Sequence, residues 1–240
     1  ANLWLGLDKG IDYISLNSPL FFLFSRKSMI GSGYTSCCYR GKLYLGTNQG
    51  LYVTEIPDDL NKVQNIEFVP GTEGQVLSLF QYDDRLFCGG RDFFIIIDGD
   101  RVSHTNGRGV WGVSELGCDS DVLLVSTYWG LNILRKRGQE WFFSNKVKGG
   151  EFSAKTMFVE DNTNNVWIAN KKNGLCRITL SDDQNFVVRK KEFNSTAFPP
   201  GDNVFVTKIN NDVVVASHRG IFKYNHIKNC LERYTWLENL

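Results

Sequence analysis

Leu43-Tyr44-Leu45-Gly46-Thr47-Asn48-Gln49-Gly50-Leu51 runs through three apolar residues, a small one, a polar tip closed by glycine, and the start of a second apolar run. The first half recurs at Leu3-Trp4-Leu5-Gly6, Leu86-Phe87-Cys88-Gly89, Leu123-Leu124-Val125-Ser126, Val166-Trp167-Ile168-Ala169 and Val213-Val214-Val215-Ala216. These starts lie 40, 43, 37, 43 and 47 residues apart. The second half recurs as Gly10-Ile11, Gly130-Leu131, Gly174-Leu175 and Gly220-Ile221. Each copy predicts a tight hairpin, and a period of about 40 residues predicts a supersecondary unit stacked on its neighbours. The third copy carries Phe93 where the glycine should stand, so its hairpin is expected to turn differently, through Gly90.

Upstream of five hairpins lie strand-like segments, 34–39, 76–80, 110–116, 155–160 and 204–209. Turn residues such as Arg40-Gly41-Lys42, Asp83-Asp84 and Asn210-Asn211-Asp212 join them to the hairpins, because Gly, Asn and Asp tolerate the required backbone angles. Fourth runs follow at 65–69, 140–143, 186–191 and 231–236. Four strands per period of about 40 residues is the arithmetic of a propeller blade. A sandwich or closed barrel would not need a small residue at the same point of every unit. In a propeller, Gly6, Gly46, Gly89, Ser126, Ala169 and Ala216 would let neighbouring blades pack closely.

The expected fold is therefore an all-β β-propeller of four-stranded blades, with six units and residues 1–240 as one domain. No apolar stripe of helical period with a capping signal occurs, so helices should be few. The first unit opens directly on its hairpin and the last closes on an outer strand. The chain is therefore expected to be a piece of a longer protein, and a seventh blade in the intact ring stays open. Pro199-Pro200-Gly201 fits a connection between the fifth and sixth units.

Composition bounds the function. Lys and Arg total 27 against 26 Asp and Glu, a formal charge of +1, without the basic density that nucleic-acid binding requires. The longest apolar runs, 20–24 and 93–97, fall far short of a bilayer span, so any membrane attachment would come through segments outside this sequence. Cys37, Cys38, Cys88, Cys118, Cys176 and Cys230 show no metal or redox spacing and are expected as buried thiols, with a chance disulfide as the alternative. His104, His218 and His226 are scattered, so neither a metal nor a cofactor is expected. The acidic pairs Asp58-Asp59, Asp83-Asp84 and Asp182-Asp183 read as turns rather than as a glycosidase pair, and Gly31-Ser32-Gly33 as a blade connection rather than a phosphate loop. Trp4 and Trp167 occupy equivalent repeat positions and are expected in the core.

The segment Glu160-Asp161-Asn162-Thr163-Asn164-Asn165-Val166-Trp167-Ile168-Ala169, continuing to Asn173-Gly174-Leu175, resembles the two-component-regulator propeller repeat: an acidic turn, Asn-Leu-Trp-Ile-Gly-Thr, then Asn-Gly-Leu. The opening segment, 2–14 with 16–20, and Gly33-Tyr34-Thr35-Ser36 leading into 43–51 resemble more narrowly the propellers of Bacteroidetes sensor regulators of the hybrid two-component and triple-tyrosine type. The resemblance implies a periplasmic, non-catalytic sensor domain, followed in such regulators by an immunoglobulin-like domain, a membrane helix and signalling or DNA-binding modules. Family members often respond to oligosaccharides, so the implied partners are a small ligand of that class, other domains of the same chain, and a second copy in a homodimer. Two other readings stand beside it: a propeller lyase or hydrolase resembling the streptogramin lyases, and a purely structural dimerisation propeller.

In propellers, the tips between second and third strands and the blade-to-blade connections share one face around the channel. The ligand-binding candidates are accordingly the tip residues Asn48, Gln49, Arg91, Tyr128, Trp129, Lys171, His218 and Arg219, whose amides, charges and aromatics suit hydrogen bonding and stacking on a sugar. Tyr128-Trp129 stands out, because large aromatics on an exposed tip tend to be kept where something covers them.

Overall fold

The computed structural model describes residues 2–7, 10–15, 30–56, 65–117, 119–170, 174–193 and 203–235, the first two segments as backbone only. The described residues form strands and turns without a helix. Unit one is the hairpin β1 (Asn2–Leu7) and β2 (Gly10–Ser15). Unit two holds β3 (Gly33–Tyr39), β4 (Lys42–Thr47), β5 (Leu51–Glu55) and β6 (Glu67–Phe68). Unit three holds β7 (Val76–Tyr82), β8 (Arg85–Gly90), β9 (Phe94–Asp98) and β10 (Arg101–Thr105). Unit four holds β11 (Val110–Glu115), β12 (Val122–Thr127), β13 (Gly130–Arg137) and β14 (Glu140–Lys146). Unit five holds β15 (Thr156–Val159), β16 (Asn165–Asn170), β17 (Gly174–Leu180) and β18 (Val187–Glu192), and unit six β19 (Phe205–Ile209), β20 (Asp212–Ser217), β21 (Gly220–Asn225) and β22 (Cys230–Arg233). Units two to six are each a four-stranded sheet in strict chain order with antiparallel neighbours. The inner strands β3, β7, β11, β15 and β19 touch in succession, which is the arrangement of propeller blades.

The apolar runs are continuous because blades are buried on both faces, and successive strand residues point to opposite faces. In β8, Leu86 and Cys88 join Tyr39, Tyr44 and Leu51 of unit two, while the intervening Phe87 joins Val110, Leu123 and Val125 of unit four. In β16, Val166 and Ile168 pack on unit four and Trp167 and Ala169 on unit six, so the expectation for Trp167 holds; Trp4 is among the residues described by backbone alone. At Gly46 and Gly89 the small residue has the role expected of it. A Cβ added at Gly46 would stand 2.6 Å from Val76 Cγ1, and one at Gly89 would stand 2.7 Å from Val110 Cγ1, the first residue of the next inner strand in each case.

The tips of units two and four follow one scheme, and that of unit three departs from it. Thr47 and Thr127 each donate a side-chain bond, at 3.0 and 2.8 Å, to the carbonyl of the glycine closing the tip, Gly50 or Gly130. In unit three the corresponding backbone bond runs from Gly90 N to Phe93 O at 2.9 Å, and the Phe93 ring fills the space in which a side chain at 90 would stand, 2.5 Å from a notional Cβ. The tip does differ from the others, but Gly90 is the last residue of β8 and the bend falls on Arg91 and Asp92; the difference is an exchange, in which glycine has moved from the end of the tip to its start and the large ring to the other side. Gly90→Thr alone is expected to cost about 1–3 kcal/mol by overpacking. Adding Phe93→Gly rebuilds the tip of the sister units and should recover most of it in a urea-denaturation double-mutant cycle; simple additivity of the two losses would refute the exchange.

The turns between first and second strands are also as read. Arg40-Gly41, Asp83-Asp84 and Asn210-Asn211 all adopt positive φ at both residues, as two-residue hairpins require. Asp182 and Asp183 lie in a turn before β18, while Asp58, Asp59 and 199–201 lie outside the described residues. The cysteine expectation needs correction. Cys88 and Cys176 are buried, but Cys37 and Cys230 are half-buried and Cys38 is exposed. Cys37 packs on the core between units two and three, and strand alternation sends its neighbour Cys38 to the opposite face. Cys118 lies outside the described residues.

Candidate functional site

The tips and the blade connections meet on one face through a relay of backbone bonds. Arg91 N donates to Gln75 O of the connection before β7, Gly109 N of the next connection donates to Arg91 O, and Tyr128 N donates to Gly109 O, at 2.8, 2.7 and 3.0 Å. Asn48 N donates to Ser32 O and Gly74 N donates to Gln49 O, at 3.0 and 3.1 Å, so 31–33 is the blade connection expected. This relay brings Asn48, Gln49, Arg91, Tyr128 and Trp129 onto one surface. His218 and Arg219 form the equivalent tip between β20 and β21, and Lys171 lies outside the described residues. The roles of these residues differ. Asn48 Oδ1 accepts from Ser32 N at 2.7 Å and so braces the connection, whereas Gln49 and Arg91 are exposed, Arg91 beside Asp92.

A repeated feature that the sequence does not advertise lies at the start of the inner strands. The registers of β3, β7 and β11 each skip one residue, between Gly33 and Thr35, Val76 and Ser78, and Val110 and Gly112. Such bulges turn a side chain out of the pleat. Here they place Tyr34, Leu77 and Trp111 at the same point of three successive blades, where each inner strand leaves the tip face. Gln75 Nε2 donates to Tyr34 Oη at 3.0 Å, the Trp111 ring lies 4.7 Å from that of Tyr128, and Lys155 Nζ stands 5.3 Å from the Trp111 centroid.

Beside this mouth runs a groove of about 670 Å³ between the connection from unit three to unit four and the tip of unit four. Trp129, 60% exposed, forms one wall, its ring edge-on to Tyr128 at 5.9 Å between centroids. The floor is Leu131, Phe143 and Val147, and the rim carries the exposed Asn106, Arg108, Lys146 and Glu151. The tip holds Trp129 in place from below, because Trp129 N donates to Thr127 Oγ1 at 3.1 Å. An apolar floor, an aromatic wall and a mixed rim of amide and charge can bind a molecule with one apolar face and many hydroxyls. Of the expected residues only Trp129 lines this groove; the rim residues went unnoticed in the sequence because they sit on connections and on an outer strand.

On the opposite face, a cavity of about 510 Å³ is lined by Glu160, Arg177, Lys208 and His226 among others. Its chemistry is spoken for. Glu160 accepts from Arg177 Nε at 2.6 Å, Arg177 Nη2 at 2.8 Å and Trp167 Nε1 at 2.7 Å, and Lys208 pairs with Asp161. Among the described residues no three His, Cys, Asp or Glu converge as metal ligands.

The fold and this groove define a β-propeller with a ligand-sized recess on its tip face. Solved structures of the same fold include the extracellular domain assigned to the one component system BT4673 of B. thetaiotaomicron, with TM-score 0.68, 13% identity, and 97% of this chain against 35% of that one. The extracellular domain assigned to the hybrid two component system BT3049 of the same organism gives TM-score 0.61 and 13% identity over 84% of this chain and 30% of that one. The β-propeller domain of Myceliophteria thermophila Cps50 gives 0.56 and 9% over 82% of this chain and 67% of that one. The chain thus spans about a third of the two bacterial structures, and at such identities the likeness establishes the fold. No protein-family model and no curated sequence matches.

Proposed function

We propose that this propeller is a non-catalytic, extracytoplasmic ligand-recognition domain of a bacterial transmembrane regulator, and that it takes a short oligosaccharide in the groove beside Trp129. The observation that carries the reading is the groove itself: an exposed indole wall over an apolar floor, rimmed by Asn106, Arg108, Lys146 and Glu151. A sugar ring presents C–H bonds to the indole face and hydroxyls to the rim. Support comes from the shared fold with two extracellular domains of bacterial signalling systems and from the resemblance of the repeats to regulator propellers. A bound sugar would act by favouring one packing of the receptor over another, and it can shift that equilibrium only by its differential affinity for the two states.

Calorimetric titration of a panel of neutral and acidic oligosaccharides tests the reading. Binding is expected, and Trp129→Ala should weaken it at least tenfold, since losing one stacked aromatic wall removes on the order of 1.4 kcal/mol or more. Silence across the panel, or binding indifferent to both Trp129→Ala and Arg108→Ala, would remove this groove from consideration. One observation favours the structural reading as a second: Phe186 and Val188, near the start of the outer strand of unit five, are 45% and 55% exposed, apolar side chains that a second copy or a neighbouring domain could cover. Sedimentation of the chain with Val188→Lys against the unaltered chain separates that reading from monomeric sensing.

A further inference from the structure

Units three and four enclose a second cleft, of about 540 Å³, towards the outer rim and apart from the groove at Trp129. It is lined by Arg85 of β8, Asp98 of β9, Arg101 and Ser103 of β10, and Glu140 and Trp141 of β14. Val102 packs on the core towards unit two, so strand alternation turns Arg101 and Ser103 towards unit four and the cleft. Two of the lining residues are more than nine-tenths buried and polar at the ends of their side chains: Arg85, 8% exposed, and Trp141, 6% exposed. Each has a buried nitrogen with no hydrogen-bond acceptor, Arg85 Nη1 and Trp141 Nε1. Buried donors are paired in the great majority of native structures, and one left unpaired costs its full desolvation. Two such donors on side chains that line one cleft call for an acceptor from outside the chain.

The charges narrow what that acceptor is. Arg85 spends Nε on Asp98 at 3.4 Å and Nη2 on Gln139 at 3.0 Å, while Nη1 stands 3.8 Å from Asp83 Oδ2, too far for a hydrogen bond. Asp98 is itself divided between Arg85 and Arg40, and Asp83 is taken at 2.6 Å by Lys136. Asp98 and Asp83 are therefore already shared with other cations, and at the cleft Arg101 adds a further cation and the exposed Glu140 an anion. A carboxylate supplies two oxygens, one for each orphaned donor, and a charge for the guanidinium. We propose that this inter-blade cleft binds a small carboxylate through Arg85 Nη1 and Trp141 Nε1. The site is independent of the oligosaccharide reading, and its readout does not involve Trp129.

The test uses the six indole N–H resonances of the chain in a ¹H–¹⁵N spectrum, with the Trp141 signal assigned by its loss in Trp141→Phe. Phenylalanine keeps a ring against Phe87 and Tyr82 while deleting the donor. Titration with acetate at constant ionic strength is expected to move the Trp141 signal downfield and saturably, and equimolar acetamide is expected to leave it in place. Trp141→Phe should weaken acetate binding, followed by calorimetry, about tenfold, the effect of one hydrogen bond to a charged acceptor. Should that variant fail to fold, Arg85→Lys, which removes Nη1 and keeps the charge, carries the same expectation. A Trp141 signal unmoved by acetate would assign the cleft to ordered water and overturn the proposal. An equal response to acetamide, or unchanged affinity in the variants, would overturn it as well.

Discussion

Glu160→Ala is expected to cost about 3–5 kcal/mol in urea denaturation, because it breaks a buried ion pair from one side. The Glu160 side chain is 9% exposed and that of Arg177 19%. The carboxylate takes both Arg177 bonds and the Trp167 indole N–H, while the guanidinium lies 5.4 Å from the Tyr224 ring centroid. Removing the carboxylate leaves a cation held among aromatic rings and an indole donor without an acceptor. Glu160→Gln, which restores an acceptor but no charge, should lose less. The pH dependence follows from opposing effects: burial pushes the Glu160 carboxyl up, but the hydrogen bonds from Arg177 and Trp167 and the Arg177 charge outweigh it, and the net shift is downward from 4.5. A carboxyl lowered by folding stabilises fully above its unfolded value and loses that contribution as pH falls through its folded value. The gap in stability between the unaltered protein and Glu160→Ala should therefore be widest at neutral pH and close as pH is taken below about 4.5. A loss under about 1 kcal/mol at neutral pH would rank the pair with exposed ion pairs.

Glu160 also shows where reading the sequence succeeds and stops. Its place in an acidic turn before Val166-Trp167-Ile168-Ala169 was legible as a repeat feature, but the partner that gives it a purpose, Arg177, stands on the far strand of the hairpin. The hairpins were readable because blade burial on both faces leaves an unbroken apolar run ending in a small residue, as at 123–126. Outer strands carry a weaker signal: β10, Arg-Val-Ser-His-Thr, looks like a polar loop and gave no expectation, and β6 is two residues long. The residue after the small one held a pattern in plain view, Thr47, Thr127, Asn170 and Ser217 in four of the five units whose tip glycine closes, Leu7 in unit one, and Gly90 where Phe93 closes it, but its meaning needs the tip geometry.

The candidate site divides in the same way. Trp129 could be singled out because a large aromatic in a polar tip is anomalous by composition alone. Asn106 and Arg108 could not, since nothing in a connection says which side of it faces a groove. Trp111 escaped for a different reason: in Val110-Trp111-Gly112 an inner strand reads as regular alternation, and the bulge that turns the indole out becomes visible only in the register.

Phe87→Ala is expected to cost about 3–5 kcal/mol, the range for emptying a large aromatic from a close-packed core. The ring is fully buried between units three and four, 5.6 Å from the Trp141 centroid and 6.2 Å from that of Phe94. Its chain neighbour Leu86 is equally buried but faces unit two. In a stack of repeats, stability is approximately a sum of unit and interface contributions, so damage at one interface should loosen that interface first. Hydrogen exchange under native conditions distinguishes the two faces of the same strand. Phe87→Ala should raise exchange chiefly in β11 and β12, and Leu86→Ala, at about 2–5 kcal/mol, chiefly in β3 to β5. If both substitutions accelerate exchange uniformly over all five four-stranded units, the blades unfold as one cooperative body and the interface-by-interface picture is wrong. If the two patterns separate, the alternation first visible in Leu86-Phe87-Cys88-Gly89 is what keeps adjacent interfaces energetically distinct, and a ligand seated between two blades can stiffen one seam of the propeller without holding the rest.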